Sequence, residues 1–285
     1  MTVEISGHTR LCGLMGDPVE HSRSPHLHNT AFKKAGLDYV YLAFRIPAED
    51  IQRVPDTARL FNMRGFNLTM PHKMSIIPYL DNVDQAAKLI GAVNTVVNED
   101  GVLTGYNTDG YGFVKAFADH GTDIKGKKMT LMGMGGAGTA IAAQVALDGL
   151  RELSVFSHSS GKSWNRVAEQ VAYFDAHTDC KITLHDSEDP DDLRAELASS
   201  DLLGNATPLG MGDKEGLSPI PDATFLHKDL VVQDAIYSPA ETKLISLAKE
   251  AGCTAFNGTE MLFYQGARAF ELWTGVPMPL TTADM

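Results

Sequence analysis

Residues 127–149 read KKMTLMGMGGAGTAIAAQVALDG. The apolar run MTLM suits a buried strand, the glycines interrupt it, and the alanine-rich stretch that follows suits a helix beginning near Ala137. Gly133, Gly135 and Gly138 fall in a GxGxxG spacing across that junction, with Gly136 and Ala137 filling the turn. Small residues there let the chain turn tightly and let backbone N–H groups approach a pyrophosphate, whose charge the helix N-terminus stabilises. A strand, a glycine turn and a helix in this order predict a dinucleotide-binding unit; the bland alternative is a glycine-rich structural turn.

The pattern continues outward from that stretch. On its C-terminal side LSVFS, KITLHD, DLLGNAT and LVVQDAIY read as short strands separated by helices or loops, which predicts a parallel, doubly wound sheet. On its N-terminal side RLCGLMG, YVYLAFRI, FNLTM, AVNTVVN and VLTGYN read as strands. Between the first two, SPHLHNTAFKKAG reads as a helix with Ser24 as N-cap, Pro25 at the first helical position and Gly36 as the stop. The last helical run, GTEMLFYQGARAFELWTG, is aromatic and amphipathic. The fold class is α/β.

Composition narrows the function. A hydrophobic fraction of 44% and a charged fraction of 21% over 285 residues suit an ordinary globular protein of one large or two modest domains. A formal net charge of -12, without a basic run, disfavours nucleic acid as a partner. Three scattered cysteines, Cys12, Cys180 and Cys253, carry no zinc spacing and no disulfide framework, which fits a reducing cytoplasm. The start MTVEISGHTRLCGL lacks the pattern of a signal peptide, and no apolar run reaches the roughly 20 residues that span a bilayer. His26 and His28 stand two apart and share no helical face, so no metal site is expected there.

The identity of the dinucleotide turns on the end of LSVFS. An NAD site places Asp or Glu after the second strand, to accept from the ribose 2′-hydroxyl. Here Ser157 is followed by His158, Ser159, Ser160, Gly161, Lys162 and Ser163, without a carboxylate. Hydroxyls, a histidine and a lysine could hold a 2′-phosphate, although an arginine for bidentate phosphate binding is missing. The segment leans to NADP and leaves NAD open.

Polar clusters interrupt the strands of the first third. They are His21-Ser22-Arg23-Ser24-Pro25, then Asn67, Thr69 and Lys73 in GFNLTMPHK, Asn94 and Thr95 in GAVNTVVN, and GYNTDG, which contains Asp109. A polar group left unsatisfied in a half-buried strand costs about 1–3 kcal/mol. Four such clusters read better as the lining of a site for a small polyhydroxylated acid than as four separate accidents.

These stretches, GDPVEHSRSPHLHN, GFNLTMPHK, GAVNTVVN, GYNTDGYGF, GMGGAG, NATPLGM, DAIYSP and YQGARAFELWTG, occur in one order over nearly the whole chain. In that order the sequence resembles the shikimate dehydrogenase family, including its shikimate/quinate branch. The resemblance implies a discontinuous substrate-binding α/β domain (residues 1–115 and 258–285) and a Rossmann-type dinucleotide-binding domain (residues 116–257), with a cleft between them. It implies NAD(P)-dependent interconversion of 3-dehydroshikimate and shikimate, as in aromatic amino acid biosynthesis, in a cytoplasmic monomer or homodimer. A quinate dehydrogenase is the alternative, supported by KLIGAVNT and WTG; a non-catalytic ligand-binding member is a further one.

Family roles carry over only to matching positions. Ser22 and Ser24 match the pair that receives the substrate carboxylate, with Tyr237 near it. Asn67, Thr69, Asn94, Asp109 and Gln265 match residues that bind the ring hydroxyls. Lys73 and Asp109 match the catalytic pair that handles the proton. Gly133, Gly135, Gly136, Ala137, Gly138, Ser157, His158, Ser159, Lys162, Thr207 and Met261 fall where the family binds its cofactor, Met261 near the nicotinamide. The segment Ser157–Ser160 departs from the family, having neither its arginine nor the aspartate of the dual-specificity branch.

Overall fold

The structure, a computed structural model, describes residues 5–284. It divides into two compact units, one running through Thr108 and resuming at Phe263, the other spanning Asp109–Leu262. The boundaries expected from the sequence, 115/116 and 257/258, lie a few residues away. The first falls inside the helix Asp109–Asp119, which is continuous.

The first unit contains β1 (Arg10–Gly16), α1 (Ser24–Ala35), β2 (Tyr39–Arg45), α2 (Val54–Leu60), β3 (Gly65–Leu68) and α3 (His72–Ser75). It continues with β4 (Asn82–Val83), α4 (Gln85–Ile90), β5 (Thr95–Glu99) and β6 (Val102–Tyr106). Its six strands form one mixed sheet in the order β2-β1-β3-β5-β6-β4. The two pairings of β1 are parallel, whereas β3–β5 and β5–β6 are antiparallel. Apolar clusters pack on it, one through Phe32 and Tyr41 of α1 and β2, the other through Phe66, Ala58 and Ala87 of β3, α2 and α4.

Helix α1 differs by one position from its expected start. Ser24 is the first helical residue, Arg23 occupies the N-cap, and no side chain caps the helix. Proline is tolerated anywhere in a first turn, where no N–H partner is lost, so Ser-Pro does not fix the cap. The C-terminal stop is as expected, with Gly36 left-handed at φ 68°.

The second unit contains α5 (Asp109–Asp119), β7 (Lys128–Met132), α6 (Gly136–Leu147), β8 (Glu152–Ser157), α7 (Trp164–His177), β9 (Lys181–Asp186) and α8 (Pro190–Ala198). Then follow β10 (Leu202–Asn205), β11 (Val231–Asp234), α9 (Lys243–Glu250), β12 (Thr254–Phe256) and the start of α10 (Thr259–Thr274). All pairings are parallel, in the order β12-β11-β10-β7-β8-β9. This is the Rossmann order, two mononucleotide-binding halves that meet at β7 and β10. Strand β7 is buried along its whole length, as a central parallel strand covered on both faces must be.

The end of α10 belongs to the first unit. Phe263, Phe270 and Trp273 lie in the same cluster as Phe32 and Tyr41, and the Trp273 indole N–H donates to the Val96 carbonyl at 3.0 Å. Arg64 donates to the Trp273 carbonyl at 2.7 Å. Gly65 is required where β3 passes this ring, because a Cβ there would lie 2.3 Å from the indole nitrogen.

Candidate active site

In the first unit the sequence-predicted polar residues meet around the junction of β3, β5 and β6. Asn67, Asn94, Thr95 and Thr108 are all buried. The Asn67 amide donates to Thr95 Oγ1 at 2.9 Å and to the Asn94 carbonyl at 3.1 Å. The Asn94 amide donates to Thr108 Oγ1 at 3.0 Å, and its Oδ1 accepts from the Thr108 backbone N–H at 2.9 Å and from the Thr95 hydroxyl at 2.9 Å. Each amide is therefore fixed in orientation, as buried polar groups need to be.

Tyr41 joins this network from β2. Its hydroxyl donates to Asn67 Oδ1 at 2.8 Å and also bonds Ser24, so one phenol links the serine expected to hold a carboxylate with the asparagine expected to read a hydroxyl. Burial pushes the phenol well above its ordinary value of 10.0, which keeps it a donor. Asn29 of α1 clamps the Tyr41 backbone on both sides, donating to its carbonyl and accepting from its N–H. Behind the ring, His28 stacks at 4.6 Å. His28 is fully buried, its Nδ1 finds no hydrogen-bond partner, and desolvation brings its pKa down to about 3. The imidazole is neutral.

Ser22, in the loop before α1, and Ser24, the first residue of α1, are half-buried, and the Ser24 N–H donates to Ser22 Oγ at 3.2 Å. Thr69 follows β3 and packs against Gly16, where a Cβ would lie 2.2 Å from the Thr69 methyl carbon. Lys73 is half-buried in α3, and its carbonyl accepts from the Val93 N–H at 2.7 Å, tying the helix to the approach of β5. The neighbouring His72 is buried, with Nε2 2.7 Å from the Ile46 carbonyl. Gln265 is half-buried in the part of α10 that belongs to this unit.

In the second unit the glycine-rich stretch is a cradle of backbone. Gly133 is left-handed at φ 89°. A Cβ on Gly138 would lie 2.2 Å from the Gly133 carbonyl oxygen, so only glycine allows α6 to pack against its own loop. Gly135 and Gly136 are exposed, and a Cβ on either would meet nothing within 4 Å. Their small size serves no packing; it leaves the first N–H groups of α6 open, which fits a pyrophosphate. Thr207 closes the other side, its methyl carbon 2.7 Å from a Cβ placed on Gly133. Asn205 holds Thr207 through two hydrogen bonds to Oδ1 and is itself held by Asp234 at 2.9 Å.

Asp109, half-buried, opens α5 of this unit, and Met261 is half-buried in the first turn of α10. Tyr237 is about half exposed. His158, Ser159 and Lys162 are exposed beyond β8, and Ser157 is half-buried at its end.

Two groups join this site that no local sequence signal marks. Arg166 of α7 donates to the Met134 carbonyl of the glycine loop at 3.2 Å and to Gln170 at 2.6 Å. Asp186, the last residue of β9, accepts from the Ser159 N–H at 3.1 Å and from its hydroxyl at 2.5 Å. The segment after β8 has no carboxylate of its own, yet the structure brings it one from the next strand. The Ser159 hydroxyl holds that carboxylate below the ordinary range.

A Rossmann sheet with an open glycine loop, in one chain with a unit whose buried amides and hydroxyls converge near a lysine, defines a two-unit dinucleotide-dependent dehydrogenase. Comparison with known proteins agrees. Residues 14–96 match the shikimate dehydrogenase substrate binding domain, and residues 258–283 match the shikimate 5'-dehydrogenase C-terminal domain. A shikimate dehydrogenase (NADP(+)) of Listeria monocytogenes is 48% identical over 98% of this chain and 96% of its own length. The shikimate 5-dehydrogenase from Listeria monocytogenes in complex with shikimate and NAD has a TM-score of 0.95 and 48% identity, covering 98% of this chain and 96% of that one. Quinate dehydrogenase from Corynebacterium glutamicum in complex with NAD is more distant, at 30% identity and a TM-score of 0.83 over 94% of this chain and 95% of that one. The chain belongs to the shikimate dehydrogenase family.

Proposed function

We propose that this protein interconverts 3-dehydroshikimate and shikimate with a nicotinamide dinucleotide. The observation that carries the reading is the buried network that fixes the Asn67 and Asn94 amides in orientation, in a chain of this family. Ser22 and Ser24 receive the substrate carboxylate, assisted by Tyr237. Asn67, Thr69, Asn94 and Gln265 hold the ring hydroxyls and so orient the reacting carbon.

When bound, the dinucleotide supplies the hydride acceptor or donor at its nicotinamide ring. Gly133, Gly135, Gly136, Ala137 and Gly138 take its pyrophosphate through backbone N–H groups. Ser157, His158, Ser159 and Lys162 would flank its adenosine end, Thr207 would add to the cofactor site, and Met261 would stand near the nicotinamide. Oxidising a secondary alcohol also releases a proton from oxygen. Lys73 takes it, and Asp109 orients the lysine and the hydroxyl; the reverse reaction returns the proton by the same route.

The free cysteines Cys12, Cys180 and Cys253 suit a reducing cytoplasm. No described helix is long and apolar enough to cross a membrane. The test is the initial rate with shikimate and with quinate, each with NAD and with NADP, followed by nicotinamide absorbance. Turnover of shikimate is expected. Turnover of quinate alone, or of neither acid, overturns the reading.

A further inference from the structure

The second strand of a Rossmann sheet ends where the adenosine ribose lies, and the charge found there separates NAD from NADP sites. In this protein that strand is β8, and residues 158–163 beyond it contain no carboxylate and no arginine. A carboxylate arrives from β9. Asp186 stands opposite Ser157 in the parallel register, at the same level of the sheet, and its side chain turns onto Ser159.

The arrangement engages two of the groups that a phosphate could use, while Ser160 and Lys162 stay exposed. The Ser159 hydroxyl is given to Asp186, and His158 Nδ1 lies 3.2 Å from the Glu188 carboxylate. The Glu188 N–H donates to Asp186 Oδ1 at 3.1 Å, the same oxygen that accepts the Ser159 N–H. Of the roughly four acceptor sites of a carboxylate, three are used by these donors, which leaves one on Oδ2. Arg166, the nearby cation of α7, is directed to the Met134 carbonyl and to Gln170.

We propose that Asp186 sets the cofactor preference, accepting a hydrogen bond from the adenosine ribose and repelling a 2′-phosphate, so that this protein takes NAD in preference to NADP. The proposal rests on the dinucleotide-binding function given above and adds to it a specificity residue donated by the third strand of the sheet. A phosphate at the 2′-position would face the Asp186 and Glu188 charges together, a cost that a hydroxyl avoids.

Calorimetric titration of the full chain, without turnover, tests this. The probes are NAD, NADP, ADP-ribose and 2′-phospho-ADP-ribose. NADP is expected to bind at least about tenfold more weakly than NAD, and the phosphorylated fragment correspondingly more weakly than ADP-ribose. Asp186→Asn keeps the shape of the side chain and is expected to close the gap by about tenfold, chiefly by tightening NADP. Raising the salt concentration is expected to narrow the gap in the parent protein and to change it little in the variant.

Equal or tighter binding of NADP by the parent overturns the proposal while leaving the dehydrogenase reading intact. If Arg166→Gln abolishes that NADP binding, the cation of α7 reads the phosphate instead. An unchanged NAD-to-NADP ratio in Asp186→Asn, with the variant folded by its melting curve, also overturns it. Binding of neither dinucleotide overturns the dehydrogenase reading and this proposal with it.

Discussion

The polar network around Asn94 and the loop around Gly135 are built in opposite ways. The first is made of side chains, each buried and each held by another side chain: Asn94 by Thr108, Asn67 by Thr95 and Tyr41. The second is made of backbone, and its exposed glycines touch nothing that a Cβ would disturb. In the network, the proposed recognition and the stability share the same atoms, so a substitution is expected to cost both. At the outer face of the loop they are separate, so a ligand can be lost without loss of fold.

The largest effect is expected where chemistry, and not the framework, is removed. Lys73→Ala should lower kcat by about 10²–10⁴-fold with KM nearly unchanged, as loss of a general acid–base does. Steady-state kinetics decides it, because a strong rise in KM with kcat preserved would make Lys73 a binding residue.

Next comes the acid sensitivity of the first unit. His28 has a pKa of about 3 when folded and 6.5 as its ordinary value, so the unfolded chain binds its proton first. The stability it confers is complete above about pH 6.5 and falls as pH drops toward 3, by about 1.4 kcal/mol for each pH unit. Denaturant unfolding between pH 6.5 and 5 should show that slope in the parent and a flatter one in His28→Phe. Parallel slopes would mean that the imidazole is protonated in the folded protein.

Asn94→Ala should cost about 1–3 kcal/mol of stability, because the Thr108 N–H and the Thr95 hydroxyl lose their acceptor. Weaker shikimate binding should accompany it, and calorimetry beside a melting curve checks both. If binding falls while the melting curve stays in place, the coupling of recognition to stability is absent there. Gly135→Ala completes the contrast with the smallest expected effect, a loss of about tenfold in dinucleotide affinity with the melting curve unmoved. A clear destabilisation by Gly135→Ala would place the loop in the same category as the network.

The same contrast governs what could be read from the sequence. The glycine loop was legible because its constraint is local: a left-handed Gly133 and a Gly138 pressed on the carbonyl five residues earlier both fall in one short stretch. The strands of the Rossmann sheet were legible for the same reason, as apolar runs bounded by turn residues. Asn67, Asn94 and Lys73 stand out as polar residues in or beside strands, while their roles come from family motifs; Asn67 and Asn94 are buried and Lys73 is half-buried. The two-residue β4 and the four-residue α3 were not expected, since elements this short show no period. Tyr41, Arg166 and Asp186 were missed because their contacts join residues 26, 32 and 27 apart. Nothing in YVYLAF or KITLHD marks one residue as a partner of a later or earlier strand.

The division of the chain has a consequence for its synthesis. Residues through Thr108 build the sheet of the first unit, but Phe263, Phe270 and Trp273 of its core are encoded near the end. Domains ordinarily fold in the order in which they leave the ribosome. Here the second unit, continuous from Asp109 to Leu262, emerges whole while the first still lacks the indole that seals its core and bonds Val96. The apolar face of β1 and α1 must therefore wait, shielded by a helper or exposed, until the last helix is made. The unit that is started first is finished last.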